Sequence, residues 1–128
     1  ITRLQIAMLG QAVANDGKML KPYLVDNISL NGNKLYEGEK TCLAQSISEE
    51  TSSLLKEYLN KVAENNYGIN LYNISAKTGT AELPNGYVKK YFLAFNQDYV
   101  VLISQKDISG YGIDLKDKVM EMFGLLYQ

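Results

Sequence analysis

A six-residue stretch, Lys77-Thr78-Gly79-Thr80-Ala81-Glu82, limits the architecture more than any other part of the chain. It sets a cation, two hydroxyls and a glycine between apolar, strand-like runs, where a core strand would carry branched apolar side chains. Such a grouping suits a strand that holds an anionic, carbonyl-bearing ligand against its edge. Lys77 brings positive charge, Thr78 and Thr80 bring hydroxyl donors, and Gly79 admits the close approach of another backbone. Four such residues are equally compatible with a polar turn on a strand, so the neighbours have to decide. Nucleotide binding is excluded by their order. A phosphate-binding loop needs glycine directly before Lys-Thr and again five residues earlier, where this chain has Ala76 and Leu71.

The flanking periodicities place that stretch in a mixed fold. Thr2-Arg3-Leu4-Gln5 has capping-box spacing, and Ile6, Leu9 and Val13 recur at helical intervals until Asn15-Asp16-Gly17 stops the helix. After Pro22, the run Tyr23 to Leu30 reads as a strand, returned by Asn31-Gly32 through Lys34 to Tyr36 as a hairpin. Thr41 to Ile47 reads as extended. Ser46 or Ser48 then caps a second helix, with Glu49 and Glu50 in its first turn and Gly68 just past its end. Its expected apolar face is Leu55, Leu59 and Val62, joined by Leu54 and Tyr58. Asn70 to Leu83 is expected as a strand containing the Lys77 motif, with Pro84-Asn85-Gly86 as a turn. Tyr91 to Asn96 and Tyr99 to Gln105 follow as two antiparallel strands, with the apolar run Val100 to Ile103 buried on both faces. Asp114 caps a last helix whose inner face is Leu115, Val119, Met122, Phe123 and Leu126. The fold class is therefore α+β: a three-stranded antiparallel sheet covered by helices, plus a β-hairpin.

Composition narrows the chemistry. The 128 residues are 46% hydrophobic and 21% charged, an ordinary range for one compact domain. Thirteen basic and fourteen acidic residues give a formal charge of −1, with no footprint for nucleic acid or an anionic membrane. No apolar run approaches the ~20 residues of a spanning helix, so the chain is expected to be soluble without membrane contact. Its opening on Ile1, already inside a helical pattern and with no signal peptide, is expected of a piece of a longer protein. Cys42 is the only cysteine, which forbids an intrachain disulfide and reads as a small apolar residue. There is no histidine, so a general base would have to be Lys, Asp, Glu or Tyr, and no metal or cofactor site is expected.

These segments resemble, in order, the transpeptidase domain of penicillin-binding proteins. That family shares three motifs with serine β-lactamases, S-x-x-K, S-x-N and K-T-G, and the third is present as Lys77-Thr78-Gly79 in an extended form reaching Glu82. Leu4-Gln5-Ile6-Ala7, Ala14 to Lys18 and Lys21 to Val25 resemble the helix and strand that precede the third motif. Tyr91 to Phe95 and Tyr99 to Ile103 resemble the two strands that follow it. Arg3 stands where the family usually has proline, and Ser75-Ala76 replaces a small pair ending in glycine. The first two motifs are absent. Ser53-Leu54-Leu55-Lys56, Ser29-Leu30-Asn31 and Tyr58-Leu59-Asn60 match them as strings but fall in the wrong order and context.

The resemblance implies a partial β-lactamase/transpeptidase-like fold, residues 1–128 being the C-terminal part of one such domain without its nucleophile. It implies a serine D,D-transpeptidase that cross-links peptidoglycan stem peptides through an acyl-enzyme and binds β-lactams, incompetent without the rest of the domain. Lys77 would be catalytic, Thr78, Gly79 and Thr80 would bind substrate, and the Thr80 backbone N–H would form half of the oxyanion hole. Glu82 and Tyr87 would flank the groove, and the parent protein would be membrane-anchored and extracytoplasmic. A β-lactam sensor, or an inactive fold that only binds peptide or a partner, is the alternative. Apolar surface left by the missing portion implies self-association.

Overall fold

The structure, a computed structural model, describes residues 1–108 and 113–128. Its elements in order are helix α1 (Arg3–Ala14), strands β1 (Lys18–Leu20), β2 (Asn27–Leu30), β3 (Asn33–Glu37) and β4 (Cys42–Gln45), helix α2 (Glu49–Tyr67), strand β5 (Ser75–Glu82), a 3-10 turn (Pro84–Gly86), strands β6 (Val88–Phe95) and β7 (Val100–Ile108), and helix α3 (Leu115–Leu126). The strands form a central antiparallel sheet, β5-β6-β7, and two separate pairs, β1-β4 and β2-β3. The expected sheet and hairpin are present, and β1-β4 is an additional pair. The expected strand Tyr23 to Leu30 is corrected to Asn27–Leu30. Pro22 has no N–H to extend β1, whose ladder ends with the Lys21 N–H on the Thr41 carbonyl. The strand expected from Asn70 begins only at Ser75, because Tyr72 and Asn73 take left-handed φ of 59° and 52°.

Helix ends follow the local chemistry. Thr2 and Gln5 complete the capping box of α1, Ser48 accepts from the Thr51 N–H at the start of α2, and Asp114 accepts from the Lys116 N–H at the start of α3. Alternation along the central sheet separates two faces. On one, Ala76, Phe92, Ala94 and Val101 pack with Ala63, Ile69 and Ile74 and with Leu115, Val119 and Phe123 of α3. On the other, Gly10 of α1 lies against Leu93 and Phe95, so closely that an added Cβ would sit 3.0 Å from Leu93.

In α1 and α2 the fully buried residues are small, whereas in α3 they are large and apolar. In α1, Gly10 and Ala12 are buried while Leu9 is half exposed. In α2 the buried residues are Ser52 and Ala63; Leu55, Leu59 and Val62 of the expected apolar face are partly buried, and only its flanking Leu54 and Tyr58 face outward. In α3, Leu115, Val119 and Phe123 are buried, whereas Met122 and Leu126 are exposed flanks of that single stripe. The run Val100 to Ile103 lies between α1 and α3, but only Val101 is fully buried.

Candidate active site

The Lys77 motif occupies the middle of β5, and β5 is an edge of the central sheet. Its partner on one side is β6, in unbroken register from Ser75↔Phe95 to Glu82↔Val88. Among the described residues no strand pairs with its other side, so alternate backbone groups there have no ladder partner.

Period-two alternation divides the motif. Thr78 and Thr80 share the face of buried Ala76, while Lys77 and Gly79 point to the face of Leu93 and Tyr91. Lys77 is exposed, and its ammonium donates to the Thr78 carbonyl at 2.9 Å. Gly79 needs its missing side chain for nothing inside this chain: its φ is not positive, and an added Cβ would meet no atom within 4 Å. Glu82 and Tyr87 sit together at the turn end of the hairpin, both exposed, where the Leu83 N–H donates to the Tyr87 carbonyl at 2.8 Å. The structure therefore brings the threonines together on one face and Lys77 across the same edge from them.

α2 holds β5 in place through a row of polar contacts. Ser75 Oγ donates to the Lys56 carbonyl at 2.9 Å, and Asn60 Nδ2 donates to the Ile74 carbonyl at 2.8 Å. The Ser75-Ala76 pair before the motif lysine has a place in this packing. Ser75 docks the strand, and Ala76 fits the core without any exposure. Arg3, the other departure, ties the first turn of α1 to β7 through Nε on Ser104 Oγ at 2.5 Å.

The look-alike strings have structural partners. Lys56 forms an ion pair with Asp16 at 2.7 Å and Asn60 is committed to the strand entry. Ser29 lies in β2, and Asn31 takes φ 50° in the turn that follows.

One residue near the motif carries no signal in the sequence. Tyr67, the last residue of α2, places its hydroxyl 2.8 Å from Thr78 Oγ1. Eleven positions separate the two, and no short motif links them. Tyr67, Thr78, Gly79 and Thr80 line a recess of about 550 Å³ between β5, β6 and the start of α3, with Lys90, Asp114 and Lys116 on its walls. The described residues include no helix long and apolar enough to cross a membrane.

The fold is similar to solved penicillin-binding proteins. PBPA from Mycobacterium tuberculosis matches with a TM-score of 0.77 at 20% identity, over 94% of this chain and 31% of that one. The imipenem acyl-enzyme complex of penicillin-binding protein A from M. tuberculosis matches at 0.73 and 23% identity, over 85% of this chain and 27% of that one. The penicillin G acyl-enzyme complex matches at 0.71 and 21% identity, over 84% and 26%. The chain thus spans less than a third of the length of these structures. No curated protein sequence matches it. The model of the penicillin-binding protein transpeptidase domain matches residues 1–121, nearly the whole chain with the Lys77 motif inside the matched region, and this chain belongs to that family.

Proposed function

We propose that this chain forms the third-motif wall of a serine D,D-transpeptidase, and that the serine nucleophile lies in a part of the domain outside these 128 residues. The observation that carries the reading is the position of Lys77-Thr78-Gly79-Thr80 on an edge strand whose outer side pairs with no strand among the described residues. An extended peptide adds to such an edge as a further strand, its backbone held by main-chain hydrogen bonds. The share of PBPA that the chain spans, 31%, is in keeping with a site completed by other segments.

In this reading the serine Oγ attacks the carbonyl between two terminal D-alanines of a peptidoglycan stem peptide. The C–N bond breaks, the leaving D-alanine takes a proton, and an ester to the serine remains. An amine of a second stem peptide then attacks that ester, forming the cross-link and returning the proton to the serine. Lys77 stabilises the negative charge that develops beside the hydroxyl network. Thr78 and Thr80 donate to the terminal carboxylate, and Gly79 leaves room for the peptide backbone. The Thr80 N–H provides one of two oxyanion donors, a kind of contact whose loss costs about 10²–10³ in rate. Glu82 and Tyr87 border the groove. β-Lactams acylate the same serine in place of the peptide, and the parent protein works outside the cytoplasmic membrane, anchored to it.

Labelled penicillin tests the proposal. The intact protein is expected to form a covalent adduct on a serine outside residues 1–128, and the isolated chain none. An adduct on Ser53 of the isolated chain would overturn the assignment of the nucleophile. An intact protein that binds penicillin without acylation would instead be a sensor or an inactive fold.

A further inference from the structure

The Tyr67–Thr78 contact joins the motif to an element that no transfer chemistry requires. Tyr67 is the last residue of α2, held at a helix end closed by Gly68 at φ 68°. Its ring packs against Phe92 at a centroid distance of 5.1 Å and an interplanar angle of 56°. Phe92 pairs in register with Thr78. The phenol is therefore held by the helix end and by the Phe92 ring, and its oxygen lies 2.8 Å from Thr78 Oγ1.

Both donor directions fit the geometry of this contact, and they differ in what they leave for a ligand. A threonine hydroxyl has one proton and two lone pairs, and a tyrosine hydroxyl has one proton of its own. If Thr78 donates to Tyr67, its only proton is spent inside the protein. If Tyr67 donates to Thr78, the Thr78 proton remains available for an anion in the recess. Hydrogen bonds in such a chain polarise one another, so the outer donor is strengthened by the inner one. Lys116 lines the same recess beside Asp114, so the site is not purely acidic.

Resting on the function proposed above, we propose that Tyr67 is a positioning residue for carboxylate recognition. Its O–H donates to Thr78 Oγ1 and leaves the Thr78 proton directed at the carboxylate of the peptide or β-lactam. Tyr67 touches no reacting atom and acts only through Thr78.

The test compares acylation of the intact protein by a penicillin and by its methyl ester, in the unsubstituted protein, Tyr67→Phe, Thr78→Val and the double variant. Tyr67→Phe keeps the ring against Phe92 and removes only the donor. The preference for carboxylate over ester is expected to fall about three- to tenfold in Tyr67→Phe, with the ester rate within about twofold. The double variant is expected to match Thr78→Val. An unchanged preference in Tyr67→Phe would overturn this proposal alone, as would an equal fall in both rates, which is the signature of mere packing. Absence of acylation in the unsubstituted protein would overturn the transpeptidase reading and this proposal with it.

Discussion

Gly17 and Gly79 are glycines for opposite reasons. Gly17 sits in the turn after α1 at φ 83°, and a Cβ there would sit 2.1 Å from the Ile47 carbonyl oxygen. Its own carbonyl accepts from the Ser46 N–H at 2.8 Å, so the backbone has no room to shift away. Gly79 has ordinary strand dihedrals and open space where its side chain would be. Gly17→Ala is expected to destabilise the fold by more than about 2 kcal/mol. Gly79→Ala is expected to change stability by less than about 0.5 kcal/mol and to slow acylation by penicillin about 10²-fold in the intact protein, because a methyl group would displace the incoming backbone. Thermal melting and acylation kinetics on the same two variants check both halves. A Gly79→Ala protein acylated at the unsubstituted rate would remove Gly79 from the site.

At the scale of elements, α1 and α2 are fastened together beside the turn that follows α1. Ser52 Oγ donates to the Val13 carbonyl at 2.6 Å, and Lys56 pairs with Asp16 at 2.7 Å. The hydrogen bond from Lys56, and then its charge, hold the Asp16 carboxyl below its ordinary value of 3.8. A carboxylate with a lowered folded-state pKa contributes stability above its unfolded-state pKa and loses it as the pH falls through the folded value. Asp16→Asn is therefore expected to lower the melting temperature at neutral pH and to have no effect once the pH is well below 3.8. An equal effect at both pH values would show that the pair is not the cause. Helix boundaries here were legible because capping side chains sit beside the backbone groups they satisfy: Thr2, Ser48 and Asp114 each act within three residues. The motif strand and its two successors were legible from β-rich runs and the turns between them. The inner faces of α1 and α2 were legible only in part. Periodicity placed Ile6, Val13, Leu55, Leu59 and Val62 on partly buried faces but added Leu9, Leu54 and Tyr58, which are exposed, and missed Gly10, Ser52 and Ala63, the small residues that close packing against a neighbouring element selects. The β1-β4 pair and the Tyr67–Thr78 contact escaped for a related reason, since both join residues distant in sequence that no local pattern marks.

For the whole molecule, the outward side of α1 is the feature that an isolated chain leaves uncovered. Ile1, Leu4 and Leu9 are 83%, 57% and 51% exposed, and Ile1, Met8, Leu9 and Met19 line an apolar recess of about 600 Å³ with Gln5. The open edge of β5 adds unpaired backbone to the same exposed inventory. In the proposed domain the outward side of α1 is covered by the segments that carry the nucleophile, while the β5 edge stays open for the peptide. Apart from those segments, the apolar side of α1 is driven to cover itself with a second copy, since contiguous exposed apolar patches seldom stay in water. The 128-residue chain is accordingly expected to self-associate, with a mass by light scattering that rises with concentration. Leu4→Lys with Leu9→Lys places two charges on that side without touching Gly10 or Ala12, and is expected to restore a monomer of unchanged helix content. A monomeric unsubstituted chain at high concentration would show that this side needs no cover. Self-association that survives both lysines would move the contact to the β5 edge, where a single proline at Ala81, on the exposed part of the strand, would be expected to abolish it.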